Sequence, residues 1–119
     1  MPFEYSSSLV RVVDGDTIRL CVDLGFHVSI IETFRLARID TPEINSKDAI
    51  EREKANKAKQ FVISMFEKHN LSCIIKTEKP KNDKYGRWIA EIIFRDATDS
   101  INLSTLLVSE GLAVYKNYE

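Results

Sequence analysis

Cysteine, histidine, glycine and proline are all scarce in this chain, and no stretch stays apolar for long. The 2 cysteines, Cys21 and Cys73, and the 2 histidines, His27 and His69, stand far apart. That excludes a dense disulfide scaffold and leaves no Cys/His spacing able to cage zinc. Both cysteines fall in apolar stretches and read as free thiols packed in a core. His69 stands where a helix is expected to end, a position that suits its charged form. The 4 glycines and 3 prolines are too few for a collagen-like or low-complexity chain. No apolar run approaches the roughly 20 residues a membrane helix needs. Met1-Pro2-Phe3-Glu4-Tyr5 lacks the charged start and apolar stretch of a secretory leader. As given, the chain reads as cytoplasmic, or as secreted if a leader has been removed. An excess of one charge is missing as well. The 17 basic and 18 acidic residues leave a formal charge of -1, with a pI of about 6.1. Bulk charge therefore gives no nucleic-acid footprint, and any grip on phosphate has to come from locally placed cations or a bound metal.

What is there fits one domain over residues 1–119, long enough for a single core. Leu9 to Val13 is strand-like, Asp14-Gly15 is a turn dipeptide, and Asp16 to Val22 resumes the strand. Asp23-Leu24-Gly25 reads as a second turn. Val28 to Ile39 reads as a third strand, with Ile30, Phe34, Leu36 and Ile39 as core candidates. Asp40-Thr41-Pro42 stops it, because proline lacks a donor. Asp48 is placed to cap a helix, with Glu51 three residues on as a capping-box partner. Ala55, Ala58, Phe61, Val62, Met65 and Phe66 share one face of that helix, which runs to about Asn70. Leu71–Thr77 and Trp88–Phe94 read as two more strands, joined by a charged loop. Asp96 to Ser100 is a turn, Asn102 caps a short helix with Ile101 and Leu106 as a staple, and Gly111 ends it. From Leu112 the chain is expected to run extended or fray. Five strands with a helix after the third match a five-stranded OB-fold, a small β-barrel with helices of α+β class.

Four polar clusters interrupt this pattern. Asp14-Gly15-Asp16-Thr17 sets two carboxylates at a tight turn, where Asp-Gly alone is a common turn former. Arg35, between Phe34 and Leu36, alternates onto the face opposite theirs, and a strand-borne guanidinium can grip phosphate through parallel hydrogen bonds. Asp40-Thr41-Pro42-Glu43 places hard oxygen donors at a rigid corner. Lys84-Tyr85-Gly86-Arg87 closes the basic loop, and Trp88 beside it reads as packing rather than a base platform. Carboxylates of this kind suit calcium or magnesium if carbonyls, water and substrate complete the shell. Phosphodiester cleavage needs cations against the charge of its transition state and a base for water. Two Asp, one Glu and two Arg supply both without histidine.

Taken in order, Val13-Asp14-Gly15-Asp16-Thr17, Thr33-Phe34-Arg35-Leu36, Ile39-Asp40-Thr41-Pro42-Glu43, Asp83-Lys84-Tyr85-Gly86-Arg87, and Asn102 to Leu107 with Gly111-Leu112-Ala113 resemble the staphylococcal nuclease (thermonuclease) family. The resemblance implies an OB-fold barrel with Ca2+ held by Asp16, Asp40 and the carbonyl of Thr41. It implies that Arg35 and Arg87 bind the scissile phosphate, with Glu43 as general base and Asp14 behind the metal. Lys84 and Tyr85 then contact the nucleotide's terminal phosphate. It further implies nucleic acid as partner, DNA or RNA with single strands preferred, and cleavage to 3′-phosphate ends; apart from the resemblance, no membrane partner and a monomer are expected. The longer turn at Asp23–His27 and the acidic pI depart from the founding enzyme.

Two other readings use the same residues. A module that merely binds single-stranded nucleic acid accounts for the barrel but not for a base beside the cation site. A domain stabilised by structural calcium accounts for the aspartates and leaves the arginines idle.

Overall fold

Period-two alternation and tight turns build the first half of the molecule. In the computed structural model, which describes residues 3–77 and 87–116, β1 (Phe3–Asp14), β2 (Thr17–Gly25) and β3 (Val28–Leu36) form an antiparallel meander. The first turn falls at Gly15-Asp16, close to where the Asp-Gly pair predicts it. The second falls at Phe26-His27, later than Asp23-Leu24-Gly25. Asp23 accepts a hydrogen bond from Gly25 N–H at 2.8 Å, and the register slips there so that Gly25 faces Val28. Phe26 and His27 then take left-handed φ values of 55° and 63°, as a two-residue hairpin loop requires. This hairpin runs past the core. Ile30, a predicted core residue, is therefore 41% exposed, whereas Phe34, Leu36 and Ile39 are buried as expected.

The third strand also stops earlier than predicted. It ends at Leu36, Arg38 turns the chain with φ 65°, and the two-residue β4 (Ile39–Asp40) leaves the main sheet. β4 pairs with β8 (Val114–Tyr115) near the carboxyl end, a segment the sequence reading left extended or frayed.

Helix α1 (Ala49–Lys68) forms where the apolar spacing places it, capped by Asp48, whose side chain accepts from Ile50 N–H at 2.9 Å. The expected capping box is not closed by Glu51, because that carboxylate accepts from Ser46 Oγ instead, and Ser46 Oγ takes the Asp48 N–H. Ala55, Ala58, Val62, Met65 and Phe66 are buried and Phe61 is half-buried. His69 caps the far end, with its ring stacked on Phe94 at 4.6 Å.

β5 (Ser72–Thr77), β6 (Trp88–Arg95) and the short β7 (Ser100–Asn102) complete the sheet, in the order β3-β2-β1-β5-β6-β7. β3 and β6 also pair, in parallel through Phe34–Leu36 and Trp88–Ala90, so five strands close into a mixed barrel. This is the predicted OB-fold arrangement. The sequence pattern starts the strand only at Leu9, but the amino-terminal half of β1, Phe3 to Ser8, is strand as well because it pairs with β5. Helix α2 (Leu103–Ser109) is capped by Asn102, which accepts from Thr105 N–H, and ends at Gly111 with φ 73°. The core joins Ile18, Leu20, Leu36, Val62, Phe66, Ile75, Ile92, Phe94, Leu103 and Leu107. Cys73 lies within it and burial pushes its thiol up to about 12; Cys21 is half-buried, and both thiols are free. Among the described residues no helix is long and apolar enough to cross a membrane.

Candidate active site

Barrel closure brings together chain segments that sequence order keeps apart. The start of β2, the end of β3 and the start of β6 meet because Thr17 faces Arg35 across β2–β3 while Arg35 faces Ile89 across β3–β6. Backbone bonds pin the junction: Leu36 N–H donates to Asp16 O at 2.9 Å and Ala37 N–H to Ala90 O at 3.0 Å. β4 follows β3 directly, so Asp40 and Thr41 are delivered to the same place.

Arg35 is the hub. Its Nη1 lies 2.6 Å from Asp16 Oδ2, while its Nη2 lies 3.2 Å from Asp40 Oδ1 and donates to Ile39 O at 3.3 Å. Alternation predicts an open face for this side chain, yet it is only 8% exposed. The reason is that two aspartates from elsewhere in the chain close that face. A single planar guanidinium reaching both carboxylates holds them side by side.

Asp16 is held from three directions. Besides Arg35 it accepts from Thr41 N–H at 3.3 Å and from Thr17 Oγ1–H at 3.1 Å. Thr17 Oγ1 in turn accepts from Arg87 Nη1 at 3.1 Å. An unbroken chain of polar contacts thus runs Arg87–Thr17–Asp16–Arg35–Asp40. Thr17 is the member the sequence reading named only as part of the turn; its place opposite Arg35 depends on strand register. Lys116, also missed, sets its Nζ 3.9 Å from Asp40 Oδ2.

Glu43 is exposed, just after Pro42, and its carbonyl accepts from Ser46 N–H at 3.2 Å. Its charge reaches Asp14. Burial, opposed by the Gly15 N–H bond, pushes the Asp14 carboxyl above its ordinary value, and the fields of Asp16 and Glu43 push it further while Lys59 opposes them. Asp14 thus feels the charges of Asp16 and Glu43, while Asp16 and Asp40 share Arg35. Lys84 and Tyr85 lie outside the described residues. Trp88 packs partly buried against the core, as expected.

A family model described as staphylococcal nuclease homologue matches residues 33–119. The chain belongs to that family. Its nuclease kinship makes nucleic acid the substrate class to which this family points. A relative from Methanocaldococcus jannaschii, "Uncharacterized protein MJ1439", is 30% identical over 133 aligned positions that cover 97% of this chain. The chain spans 62% of that relative's length.

The family is associated with calcium, and the residues present fit a hard divalent cation. Asp16 and Asp40 are both held by the Arg35 guanidinium, and Thr41 contributes a buried hydroxyl with no hydrogen-bond partner. Gly15 backs the corner closely: a Cβ there would lie 2.8 Å from Ala58 Cβ and 3.2 Å from Thr41 Oγ1. Among the described residues no three His, Cys, Asp or Glu side chains converge as a metal cluster. Backbone carbonyls, water and substrate oxygens would have to complete the shell, as oxygen-loving cations allow.

Proposed function

We propose that this staphylococcal nuclease homologue hydrolyses phosphodiester bonds of single-stranded DNA or RNA, leaving 3′-phosphate ends, with calcium as its cofactor. The observation that carries the reading is the polar chain from Arg87 through Thr17, Asp16 and Arg35 to Asp40, since it sets both guanidiniums beside the two aspartates.

Asp16, Asp40 and the Thr41 carbonyl would hold the cation. Bound there, calcium would supply positive charge against the phosphoryl group. The remaining work belongs to this chain's residues. Arg35 and Arg87 bind the non-bridging oxygens, whose negative charge grows as phosphorus becomes five-coordinate. Glu43 takes a proton from the attacking water as the new P–O bond forms. The P–O5′ bond breaks, the 5′ oxygen takes up a proton from solvent, and the phosphate stays on the 3′ side. Asp14, close to Asp16 and Glu43, adds negative charge behind the cation. Lys84 and Tyr85 are assigned to the terminal phosphate of the bound nucleotide.

The purified protein is expected to degrade single-stranded DNA with calcium and to stop when a chelator is added. Glu43→Gln is expected to lower the rate by about 10²–10⁴-fold while retaining binding of a nucleotide bisphosphate. Full activity in Glu43→Gln would remove the base role. Binding without cleavage under any divalent ion would reduce the protein to a nucleic-acid-holding barrel.

A further inference from the structure

We propose that Lys116, delivered by β8, is a positioning residue that sets how tightly the two-aspartate site takes a divalent cation. The inference rests on the cation-dependent reading above. Its backbone is fixed at the site by pairing: Val114 lies opposite Asp40, Tyr115 opposite Ile39, and Lys116 N–H donates to Arg38 O at 2.8 Å. From there the ammonium lies 3.9 Å from Asp40 Oδ2, while Arg35 Nη2 lies 3.2 Å from Asp40 Oδ1. Asp40 is thus flanked by a cation on each oxygen. Asp16 is engaged differently, by Arg35, Thr41 N–H and Thr17.

An ammonium beside a ligand carboxylate does two opposing things. It helps fix the carboxylate's orientation, which favours cation binding, and its charge repels the incoming ion, which opposes it. Orientation is already supplied by Arg35, which reaches both aspartates through one rigid plane. Arg35 repels the ion as well, but its charge stays in place whatever side chain stands at 116, so the ammonium adds repulsion toward a doubly charged ion while its orienting help is redundant. Repulsion therefore wins, and Lys116 lowers the affinity of the site. Because the Lys116 and Asp40 side chains are 54% and 42% exposed, solvent and salt screen the effect.

Calcium titrated calorimetrically into the chelator-stripped full chain tests this. Lys116→Met is expected to bind calcium roughly three- to tenfold more tightly than wild type at low ionic strength. Lys116→Arg, which keeps the charge, is expected to stay within about twofold of wild type, and the Met advantage should close in roughly 0.5 M monovalent salt. Should Lys116→Met fold poorly, Lys116→Gln must give the same tightening. Equal or weaker affinity in the uncharged variants overturns the inference and leaves the nuclease reading intact. A wild-type chain that takes up no calcium at all overturns both.

Discussion

Asp14 shows how one side chain can work against the fold it belongs to. Its Oδ1 accepts the Gly15 N–H at 2.7 Å, which favours the anion, yet burial and the fields of Asp16 and Glu43 outweigh that and raise its pKa from 3.8. A carboxyl whose pKa is higher in the folded than in the unfolded chain binds its proton more tightly when folded. Its stabilising contribution is complete below the unfolded value near 3.8 and is lost as pH rises through the higher folded value. At neutral pH the ionised group is a liability. Asparagine keeps an oxygen for Gly15 N–H and carries no charge. Asp14→Asn, measured by denaturant unfolding in chelator, should therefore gain stability over wild type between pH 3.5 and pH 7.5. A difference between the two proteins that stays constant over this span would count against burial and like charge as the cause.

Elements differ in how far their own residues specify them. Helix α1 was legible because its apolar spacing, Asp48 cap and polar outer face all lie within one segment. The main strands and α2 were legible for similar reasons. β4, β7 and β8 were not, since segments of two or three residues carry no periodicity and exist only by pairing with distant partners. The first half of β1 carries the serine run Ser6-Ser7-Ser8, which has little strand character and is held by β5. The same distinction governs the candidate site. Asp16, Arg35, Asp40, Glu43 and Arg87 stood out by residue type and by family resemblance. Thr17 and Lys116 did not, because a threonine in a strand and a lysine near the chain's end become significant only through register. Contact between elements also explains Gly15. The β1–β2 turn presses on α1 so closely that a methyl group would meet Ala58 Cβ at 2.8 Å and Thr41 at 3.2 Å. Neither neighbour is a flexible chain end, so relief requires the turn or the helix to shift. Gly15→Ala is expected to cost about 1–3 kcal/mol, read as a lower urea midpoint with unchanged m-value. Wild-type stability in that variant would mean that the turn and the helix are loosely packed.

At the scale of the whole molecule, the proposed cation site depends on the closed barrel. Asp16 and Asp40 meet only when β2, β3 and β4 are in place, and the unfolded chain has no comparable site. A ligand that binds only the folded state stabilises it by about 2.7 kcal/mol at one hundred times its dissociation constant. For a chain of this size that corresponds to a rise in Tm on the order of 10 °C. The near-neutral total charge sharpens the test, because with a formal charge of -1 the fold has little overall repulsion for salt to relieve. Saturating calcium should therefore raise the Tm of the wild-type protein well beyond the same ionic strength of sodium chloride. Asp16→Asn should remove that rise, because it takes away the carboxylate that Arg35, Thr17 and Thr41 jointly hold in place. Arg35 reaches both carboxylates in the structure, so the variant will also lose an ion pair, and its starting Tm should be lower. The calcium-dependent increment is the quantity that matters, since it subtracts that loss. An increment of equal size in wild type and Asp16→Asn would place the cation elsewhere on the molecule and detach the two aspartates from any part in phosphodiester chemistry.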